Sequence, residues 1–242
     1  MRNPLLLAAL LLAAPVFASA DPLAPAFAAA QSGNFTEAAK LFRAEADKGN
    51  AEAQWRLGLS YEFGRGVKAD LKEAVNWYRK AAKKNLAGAQ HDLGRAHLFG
   101  RGVKKDAKEA AAQFRKSAAQ GYVNAMNDLG LLYRDGVGVA KNAVEAARLF
   151  KISSDAGDAQ GRFLLGRAHL MGEGVAADQG EAAMRFRQAA DQGHAEAQNA
   201  LGVMYEEGRA VKQDKNEALK WFAKAADSGS DFGKKNLERL RQ

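Results

Sequence analysis

The sequence predicts an all-α fold: an α-solenoid of five 36-residue helix–turn–helix repeats, with a degenerate helix pair before them and a capping helix after. Three observations predict it. The pattern Leu-Gly-x-x-(Tyr/His)-x-x-Gly-x-Gly-Val returns every 36 residues without insertion or deletion, around Gly58, Gly94, Gly130, Gly166 and Gly202. A fixed period of this length marks stacked supersecondary units. Apolar residues inside each unit follow the helical spacing i, i+4, i+7, with no alternating stretch that reads as a strand. Each unit also carries a start signal and a stop signal for its second helix, at constant positions.

Residues 1–20 read as a secretory signal peptide: Met1-Arg2, an apolar run from Leu5 to Ala14, then Ala18-Ser19-Ala20 for cleavage after Ala20. The run is too short to span a bilayer, which needs about 20 apolar residues. Residues 21–50 form a degenerate repeat, with helices at Leu23–Gln31 and Phe35–Asp47 joined by Ser32-Gly33-Asn34. Residues 51–229 hold the five repeats. In the first, Ala51–Glu62 is helix A, interrupted by Gly58, which costs about 1 kcal/mol against alanine. Five such costs imply close approach of a neighbouring helix. The Gly64-Arg65-Gly66-Val67 loop turns the chain, and Ala210 in the last loop departs from the second glycine, so that loop is expected to be strained or reshaped.

Helix B opens at Asp70, where Asp70-x-x-Glu73 predicts a reciprocal capping box. The device recurs as Asp106/Glu109, Asn142/Glu145, Asp178/Glu181 and Asp214/Glu217, with an earlier copy at Asn34/Glu37. That constancy makes these acids caps and not catalytic pairs. The buried stripe is Ala74, Tyr78, Ala81 and Ala82, and Phe114, Phe150, Phe186 and Phe222 take the tyrosine's place later. Each B helix ends at Asn85, Gly121, Gly157, Gly193 or Gly229, residue types that accept a left-handed C-cap. Residues 230–242 supply the capping helix, with Lys234, Lys235, Arg239 and Arg241 facing water.

These residues resemble the Sel1-like repeat, a longer-looped relative of the tetratricopeptide repeat. The match runs from Leu57-Gly58 through Gly64-Arg65-Gly66-Val67 to Trp77-Tyr78-Arg79-Lys80-Ala81-Ala82 and recurs across Ala51–Gly229. The resemblance implies a right-handed superhelix whose concave face is lined by A helices. It also implies an adaptor or scaffold without chemistry or cofactor. A cysteine-rich secreted branch of the family is linked to β-lactam hydrolysis. This chain has no cysteine, Ser-x-x-Lys, Lys-Thr-Gly or Gly-x-Ser-x-Gly, so no familiar nucleophile is encoded and a hydrolase is the weakest reading.

Absence of cysteine excludes thiol catalysis and cysteine-held metals. His97 and His169 occupy the tyrosine slot of alternate repeats, and His91 lies on another side of the helix from His97, so no metal site is expected. The net charge of +8 is concentrated: Arg65–Ala119 holds fourteen Lys/Arg against five Asp/Glu. Lys68, Lys72, Lys80, Lys83, Lys84, Lys104, Lys105 and Lys108 form a candidate basic face for an anionic envelope polymer or lipid. A solvated outer face on lysine-rich helices is the plainer explanation. Nucleic acid is not an expected partner, because aromatic–basic interleaving is missing.

By analogy with tetratricopeptide repeats, three positions per A helix face the groove. The candidate lining is Trp55, Leu59, His91, Arg95, Asn127, Arg134, Phe163, Arg167, Asn199 and Glu206. Arg95, Arg134 and Arg167 would clamp an extended, acidic protein segment. The competing reading is that part of this stripe packs between neighbouring A helices. An exported scaffold for such a segment is the first functional expectation, and a regulator that binds the periplasmic domain of a sensor kinase is the second.

Overall fold

Thirteen helices and no strand make up the regular structure of the described residues, 21–242, in this computed structural model. The expected signal peptide over 1–20 lies outside the described residues. The N-terminal pair is α1 (Ala24–Gln31) and α2 (Phe35–Asp47). Repeats one to three are α3 (Ala51–Phe63) with α4 (Leu71–Lys83), α5 (Ala87–Phe99) with α6 (Ala107–Ala118), and α7 (Val123–Asp135) with α8 (Ala143–Asp155). Repeats four and five are α9 (Ala159–Met171) with α10 (Gln179–Ala190), and α11 (Ala195–Glu207) with α12 (Lys215–Asp227); α13 (Asp231–Arg241) closes the row.

Each helix packs on the next, and the stronger contacts that skip a helix join A-type helices, α7 with α9 and α11 with α13. A helices therefore line the inner side of the row and B helices the outer side.

The helix glycine is explained by an aromatic ring. A Cβ at Gly58 would stand 2.5 Å from the Tyr78 ring, and one at Gly130 would stand 2.4 Å from Phe150. Phe114, Phe186 and Phe222 press on Gly94, Gly166 and Gly202 in the same way. The neighbour whose close approach was expected is thus the partner helix of the same hairpin, and it approaches through its ring. These rings are almost fully buried, each contributing about 1.5–3 kcal/mol of apolar transfer, which outweighs the local helix penalty.

The B-helix starts correct one expectation. Asp70 Oδ1 accepts from the Lys72 and Glu73 amides, as a cap should. The glutamate does not reach back, because the Asp70 amide already donates to the Tyr61 carbonyl at 2.9 Å. The same long bond runs from Asp106 to His97, Asn142 to Tyr133, Asp178 to His169 and Asp214 to Tyr205. It ties the B-helix start back to helix A and frees the glutamate to pair along its own helix: Glu145 with Arg148, Glu217 with Lys220.

The last loop keeps its shape despite Ala210. Arg209 N donates to Met204 O and Asp214 N to Tyr205 O, as in the other repeats, and Ala210 adopts φ +55°. The loop is strained, not reshaped. At the C-terminus Lys234, Lys235, Arg239 and Arg241 are exposed, as expected of a cap, although Phe232 is exposed beside them.

Two stability predictions follow from these loops and caps. Replacing Ala210 with glycine should raise stability by about 0.5–1 kcal/mol, since a left-handed alanine costs about 1–2 kcal/mol and part returns as unfolded-chain entropy. Asn142→Ala should cost about 1 kcal/mol, whereas Glu145→Gln, which has no reciprocal cap bond to lose, should cost a few tenths. Urea midpoints of the purified variants measure both.

Candidate partner-binding surface

The expected groove stripe divides into two classes. Its first position in each A helix is turned toward the next repeat. Trp55 Nε1 donates to Asp92 Oδ2 at 2.7 Å, His91 Nε2 meets Asp128 Oδ2 at 2.9 Å, and Asn127 Nδ2 donates to Asp158 Oδ2 at 2.7 Å. Phe163 stacks on His194 with ring centroids 4.8 Å apart, and Asn236 donates to Asn199 at 2.9 Å. His91 and Asn127 are buried. They do not line an open groove; they join repeats. The cause is the close spacing of A helices on the inner side, which leaves a long side chain at this position nowhere to go except the neighbouring helix.

The other two positions do reach the inner surface. Leu59 and Arg95 line one cavity, and Arg134 and Arg167 line another over Phe150. Arg95 and Arg167 are exposed and have no carboxylate within ion-pair distance among the described residues. Arg134 is held in its own repeat by a two-pronged bond to Asp135 at 2.7 and 2.9 Å. That bond raises the arginine's pKa and lowers the aspartate's. Glu206 is closed off by Arg239 of α13, which takes both of its carboxylate oxygens. Arg134 and Arg167 thus share one cavity, and Arg95 lines a different one.

That site is a concavity on the inner face. Two cavities of about 160 and 170 Å³ adjoin at Leu59 and Phe63. The first lies between α3 and α5 over α4, the second between α1 and α3 over α2. Apolar floors of Val75, Ala96, Phe42 and Ala38 meet exposed Phe35 and Phe63 at the rim. Arg65 stacks on Phe35 and Phe63 at 5.9 and 5.5 Å and, like Arg95, has no carboxylate partner among the described residues. Beneath, Tyr78 donates to Glu62 at 2.5 Å and Arg101 pairs with Glu62 at 2.8 Å. Burial first, then the Glu62 bond, push the Tyr78 hydroxyl far above its ordinary pKa. It stays a neutral donor that fixes the carboxylate. The signal for this site is legible once repeats are aligned: Tyr78 stands where the other four repeats have phenylalanine.

The eight lysines of the expected basic face are all exposed. They form two groups and not one patch. Lys68, Lys72, Lys104, Lys105 and Lys108 lie at the loop end of α4 and α6, while Lys80, Lys83 and Lys84 lie toward the other end of α4. Lys84 bonds the Gly49 carbonyl and Lys80 lies 3.5 Å from the Trp77 ring centre, so part of the second group is engaged. His194, with no role assigned by the sequence, caps α11 by accepting from Ala197 N. Among the described residues no helix is long and apolar enough to cross a membrane, and no group of three or more metal-ligating side chains occurs.

A family model described as Sel1 repeat matches residues 51–86, 87–122, 123–158, 159–194 and 195–230. Among solved structures, a Sel1 repeat protein from Oxalobacter formigenes superposes with a TM-score of 0.86 at 28% identity, over 92% of this chain and 89% of that one. A protective antigen of uropathogenic Escherichia coli with an SLR fold is 35% identical over 85% of this chain, with a TM-score of 0.73. This chain spans 44% of that antigen's length. An immunity protein from Pseudomonas aeruginosa, Pa5087, shares the fold at 18% identity and a TM-score of 0.58, over 88% of this chain and 84% of that one. No match was found among curated proteins.

The inter-repeat contact at His91 gives a pH prediction. Burial opposes its protonation, yet hydrogen bonds to Asp128 and Asp92 and their charges outweigh it, and its pKa stands above the ordinary 6.5. The Phe114 and Tyr122 rings that flank it add no opposing charge. An unfolded histidine titrates near 6.5, roughly, so this stabilisation is complete below that pH and is lost as pH rises through the higher folded-state value. Urea midpoints should fall over that window in the native chain and flatten in His91→Gln.

Proposed function

The chain belongs to the Sel1 repeat family, and on that footing we propose that it is an exported scaffold that seats an acidic, apolar segment of a partner protein. Sel1 repeats generally serve as protein–protein interaction scaffolds, and they are generally non-enzymatic. The seat is the pair of adjoining cavities on the inner face of α1–α5. The observation that carries this reading is the pairing of two unpartnered guanidinium groups, Arg65 and Arg95, with apolar floors and exposed Phe35 and Phe63. An apolar side chain gains burial on the floor, and a carboxylate gains a charge-assisted bond at the rim, of about 1.5–3 kcal/mol. Arg101 cannot play this part, because Glu62 already holds it.

Export rests on the charged start, the apolar run and the small residues of positions 1–20. In that compartment a cysteine-free repeat stack suits the oxidising surroundings. A second reading is favoured by the exposed lysines at the loop end, Lys68, Lys72, Lys104, Lys105 and Lys108. They would hold an anionic envelope polymer on a separate surface, with strong salt dependence.

Random twelve-residue peptides displayed on phage and selected on the native chain test the first reading. Recovered peptides should place aspartate or glutamate next to a large apolar residue. Their affinity should fall at least tenfold for the Arg65→Ala/Arg95→Ala variant. Equal affinity for that variant removes these cavities as the seat.

A further inference from the structure

One place in the repeat is filled by tryptophan in the first and fifth repeats and left open in the third, and the chain itself shows what fits. In the first repeat Trp77 of α4 is buried between helices, with the Arg43 guanidinium 5.9 Å from its ring and 5.5 Å from that of Tyr61. Arg43 also donates to the Tyr61 hydroxyl. Lys80 lies over the indole at 3.5 Å. Four repeats on, the set recurs: Trp221 is buried, Arg187 lies 4.9 Å from it and bonds Tyr205, and Lys224 lies at 4.1 Å.

The third repeat has the frame without the indole. Arg115 stands in place of Arg43 and donates to Tyr133 at 3.1 Å, and Leu129 forms the same floor as Leu57 and Leu201. Leu149 replaces the tryptophan, and Ile152, 38% exposed, replaces the lysine. Between α6 and α8 on the outer face this leaves an open cavity of about 430 Å³, bounded by Arg115, Met126, Leu129, Tyr133, Leu149 and Ile152. That lies within the roughly 300–1,000 Å³ of small-ligand clefts.

We propose that this cavity is a docking site for a tryptophan side chain, flanked by carboxylates, on a partner protein. The indole would lie on Leu129 and Leu149 under Arg115, as Trp77 and Trp221 lie under Arg43 and Arg187. Charge complementarity supports both parts. A guanidinium attracts the negative face of an aromatic ring. Of the charged side chains at the cavity, Glu145 is neutralised by Arg148, and Arg115 has no carboxylate partner among the described residues. A second copy of this chain is a poor source of the indole. Trp77 and Trp221 are buried, and Trp55 is bonded to Asp92. The site is on the opposite face from the Arg65/Arg95 cavities and stands independently of them.

The test uses the 15N-labelled native chain and a capped tripeptide with tryptophan between two glutamates. Amide shifts should be saturable and centred on Ala118, Leu129 and Ile152, and the alanine analogue of the peptide should produce none. In Leu149→Trp/Ile152→Lys the chain's own indole fills the space, and those shifts should vanish. Arg115→Ala, which changes an exposed side chain, should weaken binding at least threefold. Should the double variant fail to fold, Arg115→Ala carries the test. Shifts centred elsewhere, equal response to the alanine peptide, or undiminished affinity in either variant would overturn the site.

Discussion

The contact between a helix glycine and an aromatic ring sets the geometry of every hairpin. The ring at position 78, 114, 150, 186 or 222 occupies the volume that a Cβ on helix A would need. This fixes how close the two helices lie, because the ring fills the space that a side chain on helix A would take. The same approach is repeated in all five hairpins. The Asp70–Tyr61 type of bond serves the same end at the hairpin's loop end, clamping the loop to helix A through main-chain atoms.

With the hairpin fixed, variation is confined to where hairpins meet and to what they expose. The first inner position of each A helix shows this well. Trp55, His91, Asn127, Phe163 and Asn199 are of four residue types, yet each engages the next A helix, its cap or the closing helix, by indole, imidazole, amide or ring stacking. A lattice of near-identical units could slip by one repeat; dissimilar junctions make each neighbour specific to its own partner. His91 adds a titratable junction between carboxylates of two helices.

The sequence made the fold legible because its punctuation is local. Asn34, the capping acids and the left-handed residues Asn85 and Gly121 act within a few residues of themselves, so their helices end near where the pattern says. The surface was less legible, because it depends on atoms far apart in sequence. The Glu73 return bond fails only because the Tyr61 carbonyl arrives first. His91 and Asn127 share a helical stripe with Leu59 and Arg95, and nothing in that stripe says which positions meet the next helix. Phe35 and Phe63 escape notice because a phenylalanine at a helix end gives no sign of exposure until two cavities are seen to join beside it.

Departures from the repeat are where the lattice stops explaining its residues. Tyr78 could be phenylalanine for packing, as in the other four repeats; its hydroxyl is needed only to hold Glu62, whose second oxygen anchors Arg101. That arrangement neutralises one arginine at the inner cavity and leaves Arg95 free beside it. Leu149 is the converse case. Its repeat keeps the arginine and tyrosine that enclose an indole elsewhere, and omits the indole. Retaining Arg115 over an unfilled floor contributes little to the hairpin itself, since an exposed arginine with no ion pair adds little stability. One departure adds a polar group that packing does not require, and the other leaves out an apolar group that packing would accept. The first orders the wall of the inner cavity, and the second leaves concave surface at the expense of an internal contact; both are directions expected where the row meets another molecule.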